Sequence, residues 1–440
     1  MKGETIGTLS DLRERLEEGR QETDKLFELV KPEFLYERPI PERHRIIFYM
    51  GHLEAFDWNL LNPRMPNAKV FDREFDRLFA FGIDPVEGGL PSDQPSDWPA
   101  RPHIERYRDR IRSTVDSALS DGSPSEWAGG ESSNVLLNVM IEHRLMHAET
   151  LAYMLHQLPL EQKRREAQAL VPQGGPAGNT MIEIPSGSAT LGMPREDASF
   201  GWDNEYDVNV VDVPGFTIDQ YKVTNGQYLD FVQAGGYQDR RLWSAGGWDW
   251  KEKNGVAHPV FWSRAVGDSW SYRGMFEEVV LPLHWPVYVS HAEASAYAAW
   301  AGKRLPTEAE WHRAAYGAPG GVERKFPWGA EPPSEAHGFF KLKRWDPAPV
   351  NAFPAGRGGF DVAGTMANGW EWTSSNFAPF PGFRPFPFYE GYSANFFDGQ
   401  HFVIKGGSPR TAQCMLRRSF RNWFQPHYQD VYAGFRCAGK

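Results

Sequence analysis

With 440 residues the chain is too long for one ordinary hydrophobic core, so two or three domains are expected. Its composition, 41% hydrophobic with 14% aromatic and 24% charged, is globular, and a net charge of −10 leaves no polybasic surface for nucleic acid or anionic lipid. Two cysteines, Cys414 and Cys437, exclude a disulfide framework and a cysteine-held zinc or iron–sulfur cluster, so any metal must rest mainly on histidine.

The first 26 residues are charged, helical in pattern and without the apolar core of a signal peptide. No later apolar run is long enough to span a bilayer, so the expectation is a cytoplasmic protein. From about residue 5 to 160 the apolar spacing is helical in four segments: "LSDLRERLEEGRQETDKLFELV", "ERHRIIFYMGHLEAFDWNLL", "PHIERYRDRIRSTVDSALS" and "SSNVLLNVMIEHRLMHAETLAYMLHQL". Long connections between them predict a four-helix bundle, and the Pro-, Gly- and Asp-rich connection from Gly82 to Pro102 has the length of a functional loop. Residues 161–180, "EQKRREAQALVPQGGPAGNT", read as a linker. From Met181 to residue 440 the pattern changes to short β-like runs, many glycines and prolines and most of the tryptophans, with helical spacing in "SHAEASAYAAWAGKRL" and "TEAEWHRAAYG". This predicts a second, α+β domain with a high loop content.

The chemistry is carried by the last bundle segment. Leu136, Met140, His143, His147, Leu151, Met154 and Leu158 fall on one helical stripe, which turns both histidines inward, whereas His156 is half a turn out of phase and should face away from them. Histidines at i and i+4 can bind one metal from adjacent turns. On the second segment Phe48, His52, Phe56 and Asn59 share another stripe, which places His52 on a buried face. Three buried imidazoles are costly without a metal or hydrogen bonds, and with no cysteine nearby a three-histidine site with open positions is expected. Imidazole suits zinc, iron, copper or nickel, so ligand type does not choose among them. Glu149 sits off the stripe and reads as a solvated helix charge or a residue behind the ligands.

His52 in "GHLEAFDWN" and the "HRLMHAE" segment resemble the DinB-like bundle of the ergothioneine-biosynthetic sulfoxide synthases. The second half resembles the formylglycine-generating-enzyme, or sulfatase-modifying-factor, domain of the same family, through "EIPSGSATLG", "GWDNE", "VTNGQYLDFVQAGGY", "PVYVSHAEASAYAAWAGKRLPTEAEW", "NGWEWTSS", "KGGSPR" and "AGFRCA". The resemblance implies a C-type-lectin-like fold for that second domain, which closes the substrate pocket. It implies Fe(II) held by His52, His143 and His147, with O2 as co-substrate. The reaction it implies joins a thiol such as cysteine or γ-glutamylcysteine to the imidazole of hercynine, Nα-trimethylhistidine, as a sulfoxide. The "RNW" segment then makes Asn422 and Trp423 candidates to hold the betaine, and Trp423 with Phe380 would offer ring faces to the trimethylammonium group. A structural calcium is implied near Asn368 and Glu371.

The chain also departs from the family pattern. Phe377 stands where a proton-donating tyrosine is found, and a phenyl ring has no proton to give. Tyr107, Tyr389 and Tyr392 are the candidate replacements. Met146 lies between the two helical ligands where glutamine is common, and Phe424 follows "RNW" where aspartate is common, so both are candidate substrate contacts. The loop that usually carries paired arginines reads "VEGGLPSDQPSDWPARP", and its Asp93 and Asp97 are expected to repel a dianionic sulfur donor. The alternatives are a selenoneine synthase joining a selenosugar to hercynine, a thiol dioxygenase, formylglycine generation, and a non-enzymatic DinB-like binding module.

Overall fold

The computed structural model describes residues 8–65, 69–80, 91–121, 132–167, 172–176, 178, 180–197, 199–264 and 269–439. The chain divides into two compact units, Met1–Glu166 with Asp197–Phe200, and Ala167–Glu196 with Gly201–Lys440. Part of the Gly82–Pro102 connection and part of the 161–180 linker lie outside the described residues.

The first unit is the expected helical bundle. Its described helices are α1 (Leu9–Leu29), α2 (Ile46–Leu61), a short α3 (Arg73–Leu78), α4 (Arg101–Asp121) and α5 (Ser133–Gln157). Thr8 opens α1 with a capping box, accepting the Asp11 N–H at 3.2 Å while the Asp11 carboxylate accepts the Thr8 N–H at 2.9 Å. α1 and α4 carry one apolar stripe each, with Leu12, Leu16 and Leu26 of α1 and Ile104, Ile111 and Val115 of α4 buried in the core. α5 differs, because residues 136–144 and 147–156 are buried without a break, so every face of the helix is covered. Within the unit α5 packs on α1 and α2. The expected stripe is therefore present but does not mark a boundary with solvent. His156 is fully buried and lies outside the group formed by the other histidines. Two stripe readings need correction: Asn59 is exposed at the end of α2, and Glu149 is buried rather than solvated.

The second unit is built from small sheets joined by long loops. β1 (Met181–Ile184) pairs antiparallel with β4 (Phe216–Asp219), and β2 (Gly187–Leu191) with β3 (Asn209–Val213). β5 (Trp262–Arg264), β6 (Trp270–Arg273) and β7 (Glu278–Val280) form a meander. The four-stranded sheet runs in the order β10 (Asn422–Phe424), β9 (Phe402–Gly407), β8 (Gly369–Asn376) and β11 (Ala433–Gly434), with β11 parallel to β8. The helices α8 (His291–Trp300) and α9 (Glu308–Tyr316) follow the two helical patterns seen in the sequence, each opened by a capping box, at Ser290 and Thr307. α6 (Asn225–Gln233) and α7 (Ala245–Asn254) complete the unit.

Candidate metal centre

α2 and α5 bring the three predicted histidines together. His52 Nε2 lies 3.2 Å from His147 Nε2, and His147 Nε2 lies 3.1 Å from His143 Nε2. His52, His143 and His147 are 5%, 4% and 5% exposed, so the cluster is screened from water. Among the described residues this is the group of three or more potential ligands whose ligating atoms converge, all within 4.8 Å of one another.

The second ring nitrogen of His52 fixes its tautomer. His52 Nδ1 is 2.7 Å from the Phe79 carbonyl, which can only accept, so Nδ1 carries the proton and Nε2 presents its lone pair. Gly51 makes this contact possible, because a Cβ there would lie 2.5 Å from the Phe79 ring. Burial is the main reason that His52 is pulled down to about 4 and that His143 and His147 fall well below the usual histidine range. Neighbouring cations add to this: His44 and Arg144 at His52, and Arg43 and Arg144 at His147.

Three neutral imidazoles with Nε2 atoms this close cannot satisfy one another, since one N–H cannot point at two lone pairs. A cation at the point of convergence satisfies all three. Three imidazoles would fill only part of the coordination sphere of such a metal and leave positions for exogenous ligands. The donor set therefore fits a divalent metal.

Aromatic rings wall the centre. Phe56 stacks on His143 at 3.5 Å between centroids and Phe48 on His52 at 4.8 Å. Tyr49, which carried no signal in the sequence, lies 5.6 Å from the His147 ring. Trp98 stands 5.7 Å from Phe48 and donates its indole N–H to Asp93 Oδ2 at 2.7 Å. Asp93 is also paired with Arg38 and with Arg45 Nε, the latter at 3.0 Å. Burial works to raise its carboxyl, but Trp98, Arg38 and Arg45 outweigh it and hold the group below the usual range. The expectation that Asp93 repels an anionic donor is therefore corrected: two arginines more than neutralise it. Asp97 is turned to the Gln94 backbone N–H, at 2.7 Å.

The remaining predicted residues fall in several places. Met146 is half-buried on α5, and its carbonyl accepts from Thr150 Oγ1 at 3.2 Å. The Tyr107 hydroxyl donates to Asp76 Oδ1 at 2.7 Å, which with burial pushes the phenol up. In the second unit Trp423 stacks on Phe377 at 3.9 Å and 8°, with Phe396 and Tyr392 each 5.5 Å away. Tyr392 is buried against Trp202 at 4.0 Å, and Tyr389 lies 5.5 Å from Tyr392. Strand alternation puts Trp423 on the face of β10 opposite to Asn422 and Phe424. Asn422 Oδ1 accepts the Trp423 N–H at 2.8 Å, and Phe424 stacks on Tyr428 at 5.3 Å. Phe380 covers a guanidinium, that of Arg421 at 4.1 Å, which Glu308 binds through both oxygens at 2.9 and 3.1 Å.

The calcium expectation meets a different donor set. Both Glu371 oxygens accept from Arg436, at 2.6 and 3.0 Å, and Lys222 Nζ lies 3.1 Å from one of them. The Asn368 amide is spent on both backbone groups of Ala348, at 2.9 and 3.0 Å. Glu371 already holds two cations and the Asn368 side-chain oxygen is turned to the Ala348 N–H, so the pair does not fit a calcium ion. Cys437 is buried and its thiol is pushed well up, while Cys414 is half-buried beside Arg417.

Residues 167–440 match the sulfatase-modifying factor enzyme 1-like domain family, and residues 15–151 match the DinB superfamily. The chain is 38% identical over 74% of its length to the hercynine oxygenase of Mycobacterium tuberculosis, covering 76% of that protein. It is 34% identical over 97% of its length to the hercynine oxygenase of Mycolicibacterium smegmatis, covering 98%. The formylglycine-generating enzyme of Thermomonospora curvata is 34% identical over 59% of this chain, with 92% of that protein covered. Near full-length identity at this level, together with a DinB match followed by a sulfatase-modifying-factor match, places the chain in the hercynine oxygenase family.

Proposed function

We propose that the chain catalyses an O2-dependent joining of a thiol sulfur to the imidazole carbon of hercynine in ergothioneine biosynthesis, at Fe(II) held by His52, His143 and His147, in the cytoplasm. In balance, thiol, hercynine and O2 give the conjugate sulfoxide and water. The observation that carries this reading is the convergence of three buried, neutral imidazoles, with Nε2 separations of 3.1 Å for His143–His147 and 3.2 Å for His52–His147. The family membership supplies the substrate class.

Bound Fe(II) supplies the activation of O2. The chain's own residues do the rest. The Phe79 carbonyl holds the His52 tautomer, and the Phe48 and Phe56 rings keep water from the backs of two ligands. In the second unit Trp423 gives its ring face to the trimethylammonium group, and Asn422, Phe424 and Phe380 are the further candidate contacts there. Tyr392, whose ring lies 5.5 Å from that of Trp423, is the candidate to supply the proton that Phe377 cannot. Arg38 and Arg45 leave the Asp93 cluster net positive beside the Trp98–Phe48 pair, which supports an anionic thiol, cysteine or γ-glutamylcysteine.

A second reading, thiol dioxygenation, is supported by Phe377 alone. Offering hercynine with cysteine, γ-glutamylcysteine and a selenosugar, and reading products by mass spectrometry, tests both. A hercynine–thiol sulfoxide supports the proposal. A sulfinate of the thiol alone supports dioxygenation, a selenium conjugate supports selenoneine synthesis, and absence of any product with stoichiometric iron bound refutes the enzyme reading.

A further inference from the structure

The bundle buries an ion network that joins the two ligand-bearing helices at residues adjacent to the ligands. Arg144 follows His143 on α5, is fully buried, and sends its guanidinium to α2. There Nη1 and Nη2 donate to the two Glu54 oxygens at 3.1 Å each, and Nη2 also donates to Asp57 Oδ2 at 2.7 Å and to the Leu53 carbonyl at 3.3 Å. Leu53 follows His52. Arg112 from α4 reaches the same Glu54, with its closer approach at 2.8 Å, and also grips Asp24 of α1 at 2.6 and 2.8 Å.

Apolar packing does not account for how α5 is turned. The helix is buried almost all round, and its covered surface mixes apolar side chains with Asn138, Glu142, Glu149 and His156, so no single apolar stripe fixes its rotation. Rotation, however, decides whether His143 and His147 aim at His52. A planar guanidinium fork on a carboxylate accepts only one orientation, and breaking a buried ion pair strands a charge in the core at a large penalty. We propose that Arg144, through Glu54 and Asp57, is the positioning residue that sets the rotation and register of α5 against α2 and so preorganises the three-histidine site. The network serves metal geometry more than folding stability, because buried ion pairs replaced by apolar residues often leave stability unchanged or raised.

The inference rests on the three histidines binding a divalent metal, and on no substrate assignment. The test uses the full chain, Arg144→Lys, and the triple variant Arg144→Met with Glu54→Leu and Asp57→Leu, all metal-free. Thermal unfolding is measured, then Co(II) is titrated and followed by its visible spectrum. The triple variant is expected to melt within a few degrees of the wild type or higher, yet to bind Co(II) at least tenfold more weakly with an altered spectrum. Arg144→Lys is expected to lie between the two in affinity. Co(II) affinity within twofold of wild type in a folded variant overturns the proposal. Failure of both variants to fold also overturns it, since the network is then a folding requirement. A wild type that binds no Co(II) removes the three-histidine reading itself and is distinguishable from either result.

Discussion

The two units gather their buried functional side chains in opposite ways. In the bundle, lone pairs converge: three imidazoles aim at one point, and charges stay behind them in the Arg144–Glu54–Asp57 network. In the second unit, ring faces converge: Trp423 stacks on Phe377 amid Phe396 and Tyr392, with the Arg421–Glu308 pair beneath Phe377 and Phe380. Lone pairs bind a metal, and ring faces bind a cation that has no proton to donate. The two units thus offer different chemistry, each local to its own packing.

The sharpest way to break the contrast is to remove a lone pair. His143→Ala should weaken Fe(II) binding by on the order of a thousandfold, because one of three ligands is lost and α5 cannot offer another. Inductively coupled plasma analysis after desalting checks this, and stoichiometric iron in the variant would sink the assignment. Removing a ring face should do less. Trp423→Ala should raise the KM for hercynine roughly tenfold to thirtyfold, in line with about 2 kcal/mol of cation–π attraction, with iron content unchanged. A KM that stays put would remove Trp423 from the substrate.

Acid should reach both units from the same starting point. Burial holds His52 at about 4 and His291 at about 3, below the ordinary 6.5. The unfolded imidazoles therefore protonate first. Stability of the metal-free protein is complete above pH 6.5 and falls as pH drops from there toward those lower values, by up to roughly 3 kcal/mol at His52 and roughly 5 kcal/mol at His291. Urea unfolding at pH 7.5 and 5 reads the slope, and His291→Phe should reduce the share from the second unit, leaving that of the buried His312. The smallest effect expected is that of calcium. Since Arg436 and Lys222 already hold Glu371, adding calcium or a chelator should leave the melting temperature of the iron-free protein unchanged. A rise of several degrees with calcium would show that another set of donors exists.

Legibility differed between the units for physical reasons. The long bundle helices and their inward histidines were readable because a period of 3.6 over some twenty residues is a strong signal. α3, at Arg73–Leu78, was too short to show one. Phe79, whose carbonyl fixes His52, carried no signal, since any residue supplies a backbone acceptor. Arg144, Glu54 and Asp57 read as ordinary charges in a helical pattern, and only packing on all sides of α5 reveals them as buried. Asp93 looked like a bare negative charge because Arg38 and Arg45 lie about fifty residues earlier in the chain. In the second unit the aromatic content was plain. The three-residue strand that puts Asn422 and Trp423 on opposite faces was too brief to be seen in "RNWF".

Whether the metal held by His52, His143 and His147 is where O2 is used on hercynine and a thiol is decided most directly by O2 uptake. The measurement uses one equivalent of Fe(II) per chain and compares wild type with His143→Ala. Rapid uptake is expected of the wild type only when hercynine and a thiol are both present, and none of the variant. Equal uptake by the two proteins, or uptake by wild type indifferent to hercynine, would contradict that role for the three histidines.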